Sequence, residues 1–309
     1  MTCRIVGALL GVAWIVRVGE ASADDATPGA TWLPGQARAI PRSTSASRDA
    51  AVFEYAYGPR AQGSIGAEPG LLEIRRPKAT FRLGMYALVA LENATSHRFF
   101  PPAELWRGLI GVSFALELPE AARAWLVPGS DLELSLVVGH ESDHRTNGSA
   151  STLAPPGPLA IPFGGGGNFV AIDVAERLPL GRAVTITMRW QDRIYFNELP
   201  LIFGAQVASD TVADTLHEGL VNAPGAELIV RWQLARRVAP QLALFGEHLF
   251  PHDPFVEDGQ FFRAMLGVAC AGRVGELTPF ASFDGGNGKG LLVQERELRL
   301  STGVRYALF

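Results

Sequence analysis

Apolar and polar residues alternate along most of the chain beyond residue 50, and a period of two predicts β-strands. In the first clear segment, every second residue from Phe81 to Leu91 is apolar, whereas Arg82 lies on the opposite face. Two shorter segments, Val52–Tyr57 and Leu71–Arg76, alternate more weakly. The clear segments are Thr80–Glu92, Ile110–Leu118, Asp131–Ser142, Asn168–Glu176, Arg182–Phe196, Ala226–Arg236, Gln241–Phe250, Phe261–Ala271, Leu277–Asp284 and Leu291–Phe309.

The chain is apolar without offering a spanning helix. Hydrophobic residues make up 48% and charged residues 19%, yet beyond the N-terminus no apolar run reaches the length of a membrane helix. Such a chain crosses a membrane only as a closed barrel, because in lipid every backbone polar group must be paired internally. The opposite faces carry charges that suit a polar lumen: Glu133, Arg189, Glu227, Arg231, Glu247 and Arg263.

A soluble antiparallel sandwich would also alternate, with its apolar faces lining a core. The sequence predicts instead an all-β fold, a closed antiparallel transmembrane β-barrel of about 12 strands. Without the two weaker segments the count is about 10, which is also even.

The N-terminus carries the features of a secretory signal. The apolar run Ile5–Val16 follows Arg4, and Ala21–Ala23 offers a small-residue cleavage site. The run is shorter than the roughly 20 apolar residues of a spanning helix. After cleavage Cys270 is the one cysteine left, so no internal disulfide is predicted. The predicted organisation is a signal peptide at 1–23, a mobile periplasmic lead-in at 24–50 and an outer-membrane barrel at 51–309.

The last strand resembles the terminal strand of bacterial outer-membrane barrels. From Leu298 to Leu308 it alternates almost perfectly, and it ends on an aromatic residue, Phe309. The resemblance implies localisation in the outer membrane, contact with its lipids, and recognition of this strand by the barrel assembly machinery. The net charge of −4 and the lack of a basic cluster exclude a nucleic-acid partner from the prediction.

The spacing of the strands predicts which ends face the outside, since short turns are periplasmic and longer loops external. The alternation of sides holds if Leu201–Ala208 belongs to an external excursion and does not cross the membrane. The glycine run Gly164–Gly167 is predicted to be a flexible hinge. The predicted short turns are Arg177–Gly181, Arg237–Pro240 and Gly272–Glu276, and the longer loops are Asp143–Gly167, Asn197–Gly225, Pro251–Gln260 and Gly285–Gly290.

One group of residues at the predicted outer rim could carry chemistry. His140 and Ser142 share a face of their strand, because residues two apart point the same way. Asn168 begins the next strand, so it can be a cross-strand neighbour of either. A serine, a histidine that takes its proton and a group that orients the imidazole form a nucleophilic hydrolase. We therefore predict Ser142 as nucleophile, His140 as base and Asn168 as orienting residue.

These residues resemble those of outer-membrane phospholipase A, whose histidine, serine and asparagine lie on the lipid-facing outer rim. His-x-Ser also recurs in barrel lipid A deacylases. The run from Gly139 to His144 is similar to a barrel family of unknown function with a His-x-Ser-x-His motif. The phospholipase family has Asn-Gly where Asp143 and His144 follow the serine here. The resemblance implies a lipid acyl-ester hydrolase at the outer leaflet; no cofactor is predicted, and calcium is left open.

Three alternatives remain at this point. A histidine and a serine at a strand end can simply mark the polar edge of the lipid band. His140, Asp143 and His144 could together bind a divalent metal, since imidazole and carboxylate ligands suit several such ions. The whole protein could be a non-enzymatic structural barrel or a narrow pore, because at about 12 strands side chains can fill the lumen.

Overall fold

The computed structural model describes residues 29–32, 51–57, 62–77, 79–92, 105–118, 130–145, 164–196, 221–250, 259–273, 275–289 and 292–308. Within them, no helix is long and apolar enough to cross a membrane. The strands are β1 (Gly29–Trp32), β2 (Ala51–Tyr57), β3 (Gln62–Ala67), β4 (Gly70–Arg76), β5 (Ala79–Glu92), β6 (Leu105–Leu118), β7 (Asp131–Arg145), β8 (Gly164–Leu180), β9 (Val184–Phe196), β10 (Val221–Trp232), β11 (Val238–Leu249), β12 (Gly259–Ala271), β13 (Gly275–Lys289) and β14 (Leu292–Leu308).

The strand pairings form a ring. From β5 to β14 each strand pairs antiparallel with the next, β14 pairs with β2, β2 with β3, and β3 returns to β5. Twelve strands of the described chain therefore close the barrel: β2, β3 and β5 to β14. The prediction of a closed antiparallel barrel of about 12 strands is confirmed.

Two short strands complete the wall beside β5. β4 follows β3 along the same edge of β5, and the β4–β5 pairing shifts register between Gly70 and Leu72. β1 pairs with the other edge of β4, from Gly29 opposite Arg75 to Trp32 opposite Leu72. β1 lies inside the predicted lead-in, so these four residues are attached to the barrel. The rest of 24–50 and the predicted signal peptide lie outside the described residues.

The polarity of the barrel is inverted relative to a soluble protein. Large apolar side chains point outward, with Leu266 62% and Phe114 49% exposed, whereas charged side chains point inward, with Glu141 fully buried and Asp173 1% exposed. An apolar exterior around a polar interior is the arrangement of a β-barrel that crosses a membrane. The protein is thus an outer-membrane β-barrel.

Ion pairs line the inner wall of the barrel at several heights. Near one end, Arg82 bonds both Glu73 and Glu117 at 2.7 Å. Arg263 pairs with Asp284 at 2.9 Å. Others join Arg231 to Glu276, Arg189 to Asp173 and Glu227, and Arg193 to Glu141 and Glu247. The predicted lumen charges Arg189, Glu227, Arg231, Glu247 and Arg263 all take part, and Glu133 is buried.

The two ends of the barrel differ in their connections. The tight links from β4 to β5, β8 to β9, β10 to β11 and β12 to β13 share the end at which β14 stops, since Gly275 pairs with Leu308. We call this the turn end and the opposite one the loop end. Most of the longer links, 93–104, 146–163, 197–220 and 251–258, start from the loop end, whereas 119–130 starts from the turn end and the short link 290–291 from the loop end. Because longer links are usually external, we expect the loop end to face the outside of the cell.

All ten clearly alternating segments and both weaker ones are strands, but several predicted connections are wrong. The predicted turns Arg177–Gly181 and Arg237–Pro240 lie mostly in β8 and β11. Gly164–Gly167 is not a hinge, because these glycines begin β8 and pair with Glu141–His144 of β7. A strand ladder is built from backbone groups, so it continues where side chains are missing. Most of Gly285–Gly290 lies in β13, with a bulge after Gly286, which has a φ of 127°.

Leu201–Ala208, predicted to stay out of the membrane, lies outside the described residues. β9 and β10 pair directly with each other along their length, from Val221 opposite Tyr195 to Trp232 opposite Val184. The barrel wall therefore has no position for a further strand between them.

Candidate functional site

His140 and Asn168 meet on the outward face near the loop end. β7 runs toward that end and β8 runs back from it, and their register places His140 directly opposite Asn168. Nδ1 of His140 lies 3.1 Å from Oδ1 of Asn168. Both side chains are partly exposed. They continue the face of Leu134 and Leu136, so the pair lies just above the lipid-facing apolar band.

The contact with Asn168 suits one tautomer of the imidazole. When Nδ1 of His140 carries the proton, it donates to the amide oxygen of Asn168. In the neutral ring Nε2 then has a free lone pair. This tautomer is the one a general base needs, because the second nitrogen must accept a proton from the nucleophile.

Ser142 lies two residues beyond His140 on β7, opposite Gly108 of β6 and Gly166 of β8. Its side chain lies outside the described residues. Two residues of a strand span about 6.6 Å and share a face, so the backbone positions of His140 and Ser142 are neighbours on the outward side. Neither flanking position carries a side chain, so the backbone around Ser142 is open on both sides.

A buried polar cluster lies behind this rim, inside the lumen. Glu141, between His140 and Ser142, accepts hydrogen bonds from the Tyr195 hydroxyl at 2.5 Å and from Arg193 at 3.1 Å. Arg193 also reaches Glu247 of β11 at 2.7 Å. The end of β7 is thereby tied along the inner wall to β9 and β11, and we call these four residues the lumen cluster.

Close backbone packing supports the same region. A Cβ at Gly139 would lie 2.6 Å from the carbonyl oxygen of Ile110 and 2.9 Å from the Phe169 ring. The Phe169 ring meets Tyr195 edge to face, with centroids 5.7 Å apart. Glycine at 139 therefore lets the aromatic ring pack against the strand that carries His140.

The alternative metal site receives no support from the described residues. They contain no group of three or more His, Cys, Asp or Glu side chains placed to hold an ion. Asp143 and His144 do not lie in a loop, because β7 continues through Arg145. Their side chains lie outside the part that the structure describes.

Carboxylates interrupt the apolar exterior of the described strands, among them Glu176 of β8 and Asp192 of β9. Asp192 of β9 lies opposite Ile172 and Pro224 and alternates with inward-facing Gln191 and Arg193. Its Oδ1 is buried and has no hydrogen-bond partner among the described residues. A lipid-facing Asp is a modest cost near the membrane interface. Alternation along β9 could have identified it, since it is the charged residue on the face of Met188 and Trp190.

Sequence reasoning placed His140 beside Asn168 but missed the lumen cluster. The pairing of Asn168 follows from hairpin geometry, because β7 and β8 are consecutive. The contact of Glu141 with Tyr195 joins residues two strands apart, and no local pattern indicates it. The catalytic roles of Ser142, His140 and Asn168 remain predictions.

No protein-family model matches the sequence, and no curated protein matches it. Solved structures of outer-membrane barrels are similar in fold. The NanC porin shares 7% identity with a TM-score of 0.46, over 84% of this chain and 100% of that one. The beta domain of the Bordetella autotransporter BrkA shares 14% with a TM-score of 0.40, over 84% and 96%. OmpT of Vibrio cholerae shares 8% with a TM-score of 0.38, over 87% and 99%. At this distance the similarities support no inference about function.

Proposed function

We propose that the protein is a serine hydrolase that cleaves acyl esters of lipids in the outer leaflet. The observation that carries the proposal is the hydrogen bond from His140 to Asn168 on the outward face. It brings together two of the three required parts in a geometry that suits the required tautomer, at the polar edge of the outward apolar face. Ser142 supplies the third part by its position on β7.

The proposed reaction has two steps. Ser142 Oγ attacks the ester carbonyl, Nε2 of His140 takes the hydroxyl proton, and the leaving lysolipid oxygen receives that proton as the C–O bond breaks. The acyl group is then bonded to Ser142. Water, deprotonated by the same nitrogen, attacks the acyl carbonyl and releases the fatty acid, which restores the serine. Asn168 holds the imidazole in position throughout.

The outward placement supports a lipid substrate over a soluble one. An ester at the lipid interface reaches Ser142 without entering the lumen, and Gly108 and Gly166 leave room on both sides. On the lumen side of the same strand end, Glu141 is engaged by Tyr195 and by Arg193, which also bonds Glu247.

The test is release of fatty acid from phospholipid and from lipid A in mixed micelles, with calcium and with a chelator. Ser142→Ala and His140→Ala should each lose about 10⁴-fold or more in rate, and the double variant should lose no more than either, because the residues act as one unit. Asn168→Ala should lose less, since it acts through the imidazole.

A matched control is His248→Ala on β11. His248 stacks on Phe250 at 3.8 Å near the same end, and it lies several strands from the candidate site. Its removal should leave the rate unchanged. Equal release by the wild type and Ser142→Ala, or none by either, refutes the hydrolase.

A second candidate is a structural barrel without activity, and the lumen ion pairs favour it. Arg189, Arg193 and Arg263 all lie in the interior and are nearly buried. Twelve-stranded barrels are narrow enough for side chains to fill, unlike ~16-stranded porins. We therefore expect no steady conductance in planar bilayers; a stable ion current through the wild type would favour a narrow pore.

We further propose that the barrel assembly machinery recognises β14. The alternation of its exposed Leu298, Leu300 and Val304 with buried Ser301 and Arg305 supports this proposal. Deleting Phe309 should lower the amount of folded barrel in the outer membrane. Normal assembly of the truncated chain, measured by its resistance to dissociation in detergent, would contradict it.

A further inference from the structure

A groove crosses the outward face of the barrel between β4 and β8. Its volume is about 560 Å³, and its lining is almost entirely apolar. Across four strands, Leu83, Phe114, Leu136 and Ile172 lie in one row, because each pairs with the next. The register shift between β4 and β5 lies beside this row, and such irregularities bend a strand and increase its twist. The outward residues that line the groove include Phe81, Leu83, Phe114, Leu134, Leu136 and Ile172.

The groove lies deeper in the membrane than the candidate site, farther along the same face of the tilted strand β7. From Leu136 to Ser142 there are six residues, or about 20 Å along the strand at roughly 3.3 Å each. A strand tilt of about 40° reduces this to a depth of about 15 Å. Half of a hydrocarbon core of about 30 Å is also about 15 Å. The same tilt displaces Leu136 sideways by about 13 Å, so an acyl chain with its ester at Ser142 reaches the groove at the bilayer midplane when it follows the strand.

We propose that this groove binds the methyl end of the acyl chain of the outer-leaflet lipid whose ester lies at Ser142. The inference rests on the proposed function and names its substrate class, lipids with long acyl chains. A short acyl chain does not reach the groove when its ester lies at Ser142, so other lipids occupy the groove. An acyl chain that spans the leaflet fills the groove while its ester remains at the rim.

The selectivity should be modest. Lipid tails are as apolar as leucine, so binding a chain in the groove gains shape fit and dispersion without a hydrophobic driving force. A preference of about threefold for the longer chain is the expected size, comparable with other interactions inside the bilayer.

The first arm of the test measures hydrolysis of dipalmitoyl and dilauroyl phosphatidylethanolamine in mixed micelles. The wild type should prefer the dipalmitoyl lipid by about threefold, and Leu136→Trp, which fills the groove, should abolish that preference. Leu266→Trp is the matched control, because Leu266 is a lipid-facing leucine on β12, away from the groove. An unchanged ratio in Leu136→Trp overturns the proposal.

The second arm needs no hydrolysis and uses the Ser142→Ala background. Phe114→Trp places a fluorophore in the groove, and Phe262→Trp places one on β12, where the native ring is similarly exposed. Palmitoyl and lauroyl lipids brominated at the chain end are compared as quenchers. The palmitoyl lipid should quench Phe114→Trp more strongly relative to the lauroyl lipid than it quenches Phe262→Trp.

The two arms separate the failures. Preferential quenching at Phe114→Trp without hydrolysis by the wild type retains the groove and refutes the hydrolase. If the ratio of palmitoyl to lauroyl quenching is the same at both positions, the groove contacts bulk lipid without selecting a chain. That result overturns the proposal that the groove binds the chain end. No quenching at Phe114→Trp by any lipid means that a protein, such as a second copy of the chain, covers it, which overturns the groove as well.

Discussion

Replacing Arg193 by methionine tests whether the lumen behind the rim is closed. The guanidinium of Arg193 lies between the carboxylates of Glu141 and Glu247, at 3.1 and 2.7 Å. Its side chain is 9% exposed, and those of the two carboxylates are 0% and 7% exposed. Methionine keeps the length of the stem and removes the charge, so two buried carboxylates face each other without this cation.

The expected cost follows from burial. Removing one partner of a buried ion pair destabilises a protein by about 3–5 kcal/mol, because the remaining charge is left in a poor solvent. An exposed pair contributes only about 0–1 kcal/mol. Arg177→Met is the matched control: its pair with Asp131 lies at the turn end, with side chains 41% and 32% exposed.

The measurement is urea unfolding in lipid vesicles, followed by tryptophan fluorescence, with equal m-values required for a comparison of stabilities. Arg193→Met should lose about 3–5 kcal/mol and Arg177→Met less than about 1 kcal/mol. Adding Glu141→Gln and Glu247→Gln to Arg193→Met should recover most of the loss, because no charge then remains unpaired.

Similar small losses in both single variants would refute the reasoning. They would mean that water screens Arg193 as well as Arg177, so the lumen would be wet at the rim and the narrow pore would become the better account. If the triple variant does not recover stability, the loss in Arg193→Met comes from lost packing against Tyr195 and not from unpaired carboxylates.

Three further changes probe the wall and its sides. Gly139→Ala places a methyl group 2.6 Å from a backbone oxygen of β6, and it should lower the free energy of unfolding by about 1–3 kcal/mol. Gly246→Ala is the control, because its methyl group has its nearest contact at 4.0 Å. It should leave the free energy of unfolding unchanged in the same assay. Asp192→Leu should stabilise the barrel by about 1 kcal/mol, because it removes a carboxylate from the lipid-facing side; a loss of stability would indicate a partner for that carboxylate. Cysteines placed at Ser149 and Ser209 should both react with an impermeant maleimide on intact cells, and protection of either would break the assigned sidedness.

The fold follows from the sequence because its signal is local. Alternation with a period of two decides which residues face lipid, and it identified every clear strand from Thr80 onward. The ends of strands are less predictable: Gly164–Gly167 carries no side chain to alternate, yet its backbone pairs with β7. Nor does a pattern predict β1, whose four residues pair with β4 through backbone groups.

The candidate site divides in the same way. The meeting of His140 with Asn168 follows from one hairpin, so the sequence predicts it. The lumen cluster joins Arg193 of β9 to Glu141 of β7 and Glu247 of β11, each two strands away in the sheet. The charged residues on the inward faces predict ion pairs in the lumen. Which residues pair depends on the register between strands, and the pattern within one strand does not determine that register.

The central claim, that Ser142 is a nucleophile activated by His140, is tested most directly by covalent labelling. A long-chain alkyl fluorophosphonate in mixed micelles should bond to Ser142 as fluoride leaves, and mass spectrometry of the digested protein identifies the labelled serine. The account predicts labelling at Ser142 that is lost in His140→Ala and retained in His248→Ala. Labelling that is absent from Ser142, or that proceeds equally well in His140→Ala, would contradict it.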